Sequence, residues 1–111
     1  MDSEKSLASN VTSANELPGC RIVENLGIVR GVVVRRDIVA SPGNWQTLGR
    51  KITTCHDLCE QSRKDAFDRM LDSAGKLGAN GIVGFRYESG MAAEDATEVL
   101  AYGTAVRTEK I

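Results

Sequence analysis

Aromatic residues are scarce in this sequence, which has 111 residues and only 5% Phe, Trp and Tyr. A core filled by Val, Ile, Leu and Ala lacks the large rings that usually dominate buried surface, so it is thin. A thin core is commonly reinforced by association of several chains. We therefore expect the protein to form a homo-oligomer.

Histidine is almost absent, and its surroundings do not match a nucleophilic enzyme. His56 is the only histidine, and no serine or cysteine motif of the nucleophile-elbow type surrounds it. Cys55, His56 and Asp57 are adjacent, but neighbours on a helix point about 100° apart and do not converge as a triad. We assign no catalytic residue and favour a protein that is not an enzyme.

A strong charge bias and long hydrophobic runs are also missing. The formal net charge is −1 at pH 7, which provides no dedicated surface for nucleic acid or for an anionic membrane. No stretch approaches the roughly 18 apolar residues that a membrane helix needs. We expect neither a nucleic-acid partner nor a membrane partner.

The three cysteines, Cys20, Cys55 and Cys59, do not make a disulfide framework. An odd count of cysteines fits a reducing compartment. The first residues, MDSEKSLASN, lack the apolar segment of a secretory signal. Together these features predict a cytoplasmic protein.

The chain is short enough for one domain, preceded by a polar segment. Residues 1–10 have almost no hydrophobic periodicity, and we expect them to form a flexible tail. Residues 11–111 are expected to form the single domain. At its start, residues 11–14 are a candidate for a short edge strand.

The longest β-branched run, LGIVRGVVVRRDIV at residues 26–39, predicts one long strand. Residues 20–24 should lead into it, and Asn25 and Gly27 predict a bulge between the two pieces. Side chains alternate along a strand, so Val29, Gly31 and Val33 share the face opposite Ile28. Neither face is cleanly polar. We predict that one face packs on a helix and that the other lies in a subunit interface.

Helical periodicity predicts a helix over residues 55–77, with Thr54 as its N-cap and Gly78 beyond its C-terminus. Two more strands are predicted at residues 81–88 and 98–107, separated by a loop at residues 89–96. One face of the last strand carries only small or β-branched residues, which permits close approach of a helix. The predicted fold is α+β: two layers in β-α-β-β order, with a three-stranded, mainly antiparallel sheet and one long helix.

The segment CHDLC at residues 55–59 is the strongest candidate for metal binding. Cys55 and Cys59 are four apart and lie on one side of a helix, and soft cations prefer thiolate ligands. A position in the first helical turn lowers a thiol pKa and favours the binding form. Two thiols make only half of a tetrahedral site, so His56, Cys20 or a neighbouring subunit would have to complete it. The competing interpretation makes Cys59 a small buried hydrophobe and places Cys55 beneath the preceding loop.

Arginines on the predicted strands form a second candidate set: Arg30, Arg35, Arg36 and Arg86. Guanidinium groups bind carboxylate and phosphate well, so Arg30 and Arg86 are candidates for an anion site or a subunit interface. The competing interpretation is a set of ordinary salt bridges, for which the available partners are Glu24, Glu88 and Glu98.

Four stretches resemble a known family. They are ELPGCRIVENLGIVRGVVVR (residues 16–35), Leu58-Cys59-Glu60, LGANGIVGFRYE (residues 77–88) and TEVLAYGTAV (residues 97–106). In order and with few gaps, they resemble the YbjQ-like family of putative heavy-metal-binding proteins. The sequence departs from that family at Cys20, where an aromatic residue is usual, and at Gly49-Arg50-Lys51, where a Gly-Gly-Glu-like turn is usual.

The resemblance implies a bacterial, cytoplasmic α+β subunit, related in shape to the dodecin subunit and assembled as a ring that is typically a homopentamer. It implies no demonstrated reaction and no fixed set of metal ligands. We therefore predict a non-enzymatic ring that binds a soft divalent metal ion. The alternative is a small-molecule binding protein or enzyme whose pockets between subunits hold an anionic ligand with the strand arginines. A purely structural interaction partner is the third interpretation.

Overall fold

The computed structural model describes residues 7–36, 48–93 and 96–111, with side chains described at residues 7–35, 60–92 and 96–111. The elements are β1 (Cys20–Arg36), α1 (Leu48–Lys76), β2 (Gly81–Ala93) and β3 (Ala96–Lys110). The three strands form one antiparallel sheet in the order β1-β3-β2. This architecture confirms the predicted α+β class and the predicted β-α-β-β order.

The predicted lead-in and main strand are one continuous strand, β1, interrupted by irregularities rather than by a loop. Its register with β3 shifts between Asn25 and Gly27, as predicted, and again between Ile22 and Glu24. Gly27 has φ 103° and its N–H donates to Asn25 Oδ1 at 2.8 Å. The amide side chain satisfies a donor that the bulge removes from the ladder. Residues 37–39 of the predicted strand lie outside the described residues.

The helix is longer at its N-terminus than predicted. It begins at Leu48, so the prediction that Thr54 caps a helix starting at Cys55 is wrong. The backbone at Thr54 is already inside the helix, where upstream turns supply its hydrogen-bonding partners and a capping box has no unpaired donors to satisfy. Leu48 and Ile52, which are four residues apart, belong to this additional part of the helix.

The C-terminus of α1 agrees with the sequence prediction. The helix ends at Lys76 and Gly78 adopts φ 80°. The N–H of Ala79 donates to the carbonyl oxygen of Ala74 at 3.1 Å. A residue in the left-handed region lets the chain turn back and pair a helix-terminal carbonyl, and only glycine does this without steric cost.

The core lies between α1 and one face of the sheet, and it contains mostly small and aliphatic residues: Leu7, Val29, Val33, Ala66, Met70, Leu71, Ala74, Ile82, Val99, Ala101 and Ala105. Gly31 sets the distance between the layers. A Cβ at Gly31 would lie 2.0 Å from the carbonyl oxygen of Ala66 and 2.6 Å from the amide nitrogen of Met70. The helix backbone therefore packs directly on the backbone of β1.

The β2–β3 hairpin is longer than predicted. Residues 89–96 were expected to form a loop, but β2 continues to Ala93, which pairs with Ala96 at the start of β3. The prediction was wrong because Ser, Gly and acidic residues have low strand propensity, whereas ladder hydrogen bonds between adjacent strands outweigh that preference. Glu94 and Asp95 lie outside the described residues.

The segment before β1 also contributes to the domain. Leu7, inside the predicted tail, is only 1% exposed and packs in the core. Val11 forms a parallel bridge with Ile82, and the N–H of Thr12 donates to the carbonyl oxygen of Ile82 at 3.0 Å. The edge strand expected at residues 11–14 is thus present as a short pairing along β2. A single apolar side chain such as Leu7 leaves no periodicity for sequence reasoning to detect.

Candidate functional site

The candidate metal ligands Cys55, His56 and Cys59 all lie within α1, and their side chains are outside the described part of the chain. Cys55 is about two turns beyond the start of the helix at Leu48. The prediction that these cysteines lie in the first helical turn is therefore wrong. Their spacing of four residues still places Cys55 and Cys59 on the same side of the helix.

Cys20 belongs to a different end of the subunit. The Arg35 guanidinium contacts the Asp65 carboxylate at 2.5 Å, so the part of α1 before Asp65 lies at the Arg36 end of β1. Cys20 starts β1, and fifteen residues of strand separate it from Arg35, which amounts to roughly 50 Å at about 3.3 Å per residue. Within one chain, Cys20 therefore does not join Cys55 and Cys59.

The described side chains contain no ready-made metal centre. Among residues 7–35, 60–92 and 96–111, no group of three or more His, Cys, Asp or Glu side chains is placed to hold a metal ion. Any site built on Cys55 and Cys59 thus needs ligands from water, from another chain or from residues outside these ranges.

The sheet surface that faces away from α1, which we call the open face, carries the strand arginines of interest. On β1 it presents Ile28, Arg30, Val32 and Val34, because Val29, Gly31 and Val33 of the same strand are buried towards the helix. Ile28 is 78% exposed and Val34 is 52% exposed. The prediction that one face of β1 packs on the helix is confirmed; the role of the other face in an interface stays a prediction.

Arg30 and Arg86 lie on either side of Tyr102. Arg30 of β1 and Arg86 of β2 are both the cross-strand partners of Tyr102 in the central strand β3. These three side chains form one row across the open face. Arg30 and Arg86 were predicted as candidates from the sequence, whereas Tyr102 was not. No local pattern identifies that residue, because the alignment depends on the strand order and on two registers.

Hydrogen bonding links Tyr102 to a neighbouring row of the open face. Its O–H donates to Glu88 Oε1 at 3.0 Å. This hydrogen bond to a carboxylate favours the protonated phenol and, together with some desolvation, raises the pKa of Tyr102 above 10.0, while nearby Arg86 opposes the shift. Tyr102 is therefore neutral, and its ring lies between the two arginines.

The arginines of the open face differ from the others whose side chains are described. Five of those others have partners: Arg21 with Glu109, Arg35 with Asp65, Arg63 with Glu60, Arg107 with Glu24, and Arg69 with the carbonyl oxygen of Val32. Arg30 and Arg86 form no ion pair or hydrogen bond with another described residue. Arg35 thus pairs with Asp65 and not with one of the predicted partners. A salt bridge of Arg30 or Arg86 with a neighbouring subunit stays a prediction, and Arg36 has no described side chain.

A shallow cleft also runs between α1 and β2, opposite the open face. Glu60, Arg63, Lys64, Phe67 and Tyr87 line it, with a volume of about 330 Å³. Its floor is an aromatic cluster in which the ring of Phe85 makes edge contacts with Phe67 and Tyr87, at centroid distances of 5.5 and 4.8 Å. Burial raises the pKa of Tyr87 above 10.0, and Arg63 opposes the shift. The two bases that line the cleft are already paired, Arg63 with Glu60 at 2.9 Å and Lys64 with Asp68 at 3.3 Å.

The described part of the chain contains no helix that is long and apolar enough to span a membrane.

Comparison with known proteins places this fold in a family. A family model described as "Putative heavy-metal-binding" matches residues 10–109. A UPF0145 protein of Solibacter usitatus is 50% identical over 99 residues, which cover 86% of this chain and 88% of that protein. A UPF0145 protein of Burkholderia mallei is 49% identical over 100 residues, which cover 87% of this chain and 90% of that protein. A solved structure of a protein with unknown function from Pediococcus pentosaceus shares the fold, with a TM-score of 0.62 at 16% identity, covering 89% of this chain and 96% of that one. The family match and the close relatives together establish that this chain belongs to the YbjQ family of putative heavy-metal-binding proteins.

Proposed function

We propose that this protein is a non-enzymatic homo-oligomer that binds a soft divalent metal ion through Cys55 and Cys59. The observation that carries the proposal is the spacing of these two cysteines within α1, which puts them on one side of the helix. Thiolates are the preferred ligands of soft cations. The description of the family supports the same ligand class.

Metal binding is linked to assembly because Cys55 and Cys59 do not complete the site by themselves. A tetrahedral soft-metal site needs four ligands, and Cys55 and Cys59 supply two. His56 follows Cys55 directly and is the nearest nitrogen ligand in the sequence. The remaining ligands would come from water or from the same segment of a neighbouring chain. Cys20 is the natural internal control, because it lies at the far end of β1.

Two features of the subunit support oligomerisation. Ile28 and Val34 leave apolar surface on the open face. As an edge strand, β1 leaves one side of its backbone without a partner in the described sheet. Surfaces of this kind are normally covered by another chain.

The finer form of the assembly follows the family resemblance. We propose a dodecin-like subunit in a ring, with five copies as the expected number, in a bacterial cytoplasm. The named relatives come from the bacteria Solibacter and Burkholderia. Its partner is then itself, rather than nucleic acid or a membrane, in keeping with a net charge of −1.

Cadmium titration tests the metal proposal. The freshly reduced full-length protein should bind Cd²⁺ saturably and develop thiolate-to-metal absorbance, and binding should weaken as the pH falls because protons compete for the thiolates. The Cys55→Ser/Cys59→Ser protein should lose this absorbance, whereas Cys20→Ser should keep it. Equal absorbance in the double variant and the wild type would overturn the proposal.

Sedimentation tests the assembly separately. The wild-type protein should sediment as a species several times heavier than 12.0 kDa. A stable monomer over the whole concentration range would rule out the ring. Such a result would leave metal binding by Cys55 and Cys59 to be judged by the titration alone.

A further inference from the structure

We propose that Arg30 and Arg86, with Tyr102 between them, bind the phosphate group of a small organic phosphate on the open face of the sheet. The inference does not depend on the cysteines of α1 and therefore stands apart from the metal proposal. It begins with the contrast among the arginines. Five arginines form an ion pair or a hydrogen bond with a described residue. The two arginines that flank Tyr102, Arg30 and Arg86, form neither with the described residues.

The positions around Arg30 contain no acid that could serve as its partner. Tyr102 lies directly across the strand pair, and Leu100 and Thr104 are its diagonal neighbours on β3. Along β1, the same face continues with Ile28 and Val32. Arg30 thus projects from a mainly apolar patch at which an anion would meet no competing carboxylate among the described residues.

Arg86 has one acid nearby, and that acid has another partner. Glu88 is two residues along β2 on the same face, and its carboxylate accepts the Tyr102 hydroxyl proton at 3.0 Å. In the described structure Glu88 makes no ion pair with Arg86. The interaction holds Glu88 in the neighbouring row, opposite Leu100, and leaves the row of Arg30, Tyr102 and Arg86 with two positive charges and a neutral phenol.

The spacing of the two arginines favours phosphate as the bound group. Neighbouring strands are about 4.8 Å apart, so the Cα atoms of Arg30 and Arg86 are separated by roughly 10 Å across β3. Long side chains at that separation can approach one group above Tyr102 from opposite sides. A single guanidinium fork already pairs with both oxygens of a carboxylate and matches its one negative charge, whereas a phosphate monoester offers a third terminal oxygen and a second negative charge to a second fork.

The apolar residues beside this row favour an organic ligand over the free inorganic ion. Val32 and Leu100 pair across the strands on one side of the row, and Ile28 on the other side is 78% exposed. A hydrocarbon or aromatic group attached to the phosphate would cover part of this surface and gain hydrophobic free energy. Phenyl phosphate has both parts and serves as the probe.

Calorimetric titration of the full-length protein with phenyl phosphate tests the site. We expect saturable binding, with inorganic phosphate weaker and phenol undetectable. Arg30→Gln and Arg86→Gln should each weaken phenyl phosphate binding by roughly ten-fold or more, because each removes a charge-assisted pair. Arg107→Gln is the matched control: it removes the same charge from the same sheet, but Arg107 already pairs with Glu24 at 2.6 Å. Its effect should stay within about two-fold, as for an exposed charge away from the site.

Conservative variants separate recognition by the guanidinium fork from simple charge attraction. Arg30→Lys and Arg86→Lys keep the charge and lose the fork, so we expect binding weaker than in the wild type and stronger than in the Gln variants. Three results would each overturn the site: no saturable binding of phenyl phosphate at millimolar concentration, equal weakening by Arg107→Gln, or an Arg30→Gln/Arg86→Gln protein that binds normally but sediments differently. The last result would assign the two arginines to a contact between subunits.

Discussion

Neighbouring residues of β1 differ sharply in burial, because they lie on opposite faces of the sheet. On the face towards α1, Val33 is 1% exposed and Gly31 lies against the helix backbone. On the open face, Val34 is 52% exposed and Arg30 has no partner among the described residues. One strand thus carries both the most tightly packed and some of the least packed positions of the subunit. In this part of β1 the buried side chains lie on the first face, whereas Leu17, Val83 and Val106 form a second buried cluster at the start of β2.

The largest effect should come from filling the closest approach between the layers. Gly31→Ala would place Cβ within 2.0 Å of the Ala66 carbonyl oxygen, and neither backbone can move without separating the helix from the sheet. We expect a loss of about 4 kcal/mol or more in the free energy of unfolding, measured by urea denaturation.

A second glycine provides the control for this substitution. Gly75 lies in α1, and a Cβ there would have no atom within 4 Å. Gly75→Ala should leave stability unchanged or raise it by about 0.4–1 kcal/mol, because alanine reduces the entropy of the unfolded chain. If Gly31→Ala unfolds at the same urea concentration as the wild type, the close packing of α1 on β1 is wrong.

An intermediate effect should separate adjacent valines. Val33→Ala removes buried methyl groups and should cost about 2 kcal/mol, whereas Val34→Ala should cost about 0.5 kcal/mol or less. Urea denaturation at several protein concentrations measures both. Equal costs would show that the open face is covered as completely as the core, and a cost at Val34 that varies with protein concentration would identify the cover as another subunit.

The smallest effect concerns a tyrosine on each face. Both pKa values are raised above 10.0, that of Tyr102 mainly by the hydrogen bond to Glu88 and that of Tyr87 mainly by burial. Because the folded protein holds these protons more tightly than the unfolded chain, the associated stability is fully present below pH 10 and is lost as the pH rises through the folded pKa values. Glu88→Ala should return the pKa of Tyr102 towards 10.0 and leave that of Tyr87 unchanged, as followed by tyrosinate absorbance. A fall in both pKa values would mean that Glu88 acts on the fold rather than on Tyr102.

Much of the fold could be predicted because its signals are local. Alternation in β1 separated its two faces, one of which was predicted to pack on the helix, and Gly27 and Gly78 marked the bulge and the helix end. The start of α1 and the length of the β2–β3 hairpin could not be predicted in the same way. The β2–β3 hairpin extends through residues of low strand propensity because backbone hydrogen bonds hold the two strands together. The start of α1 was misplaced because a capping motif has the same sequence at a helix terminus and inside a helix.

The candidate site was less accessible to prediction from the sequence. Parity along each strand identifies which side chains share a face, but it does not say which residues of different strands are opposite. Arg30 and Arg86 became a pair only because β3 lies between their strands and both registers meet at Tyr102. The length of β1 separates Cys20 from the cysteines of α1, because the part of α1 before Asp65 lies at the Arg36 end of that strand.

The central position of β3 also determines when the domain can fold. β3 follows β1 and β2 in the chain, yet within the described three-stranded sheet β1 and β2 each pair with β3 and not with each other. The first pairing partners, Cys20 and Lys110, lie near opposite ends of the sequence. During synthesis β1 must therefore wait unpaired until β3 has left the ribosome, and sheets that rely on such distant contacts form slowly. Until then, the unpaired apolar strand can bind a chaperone or another nascent copy of the chain.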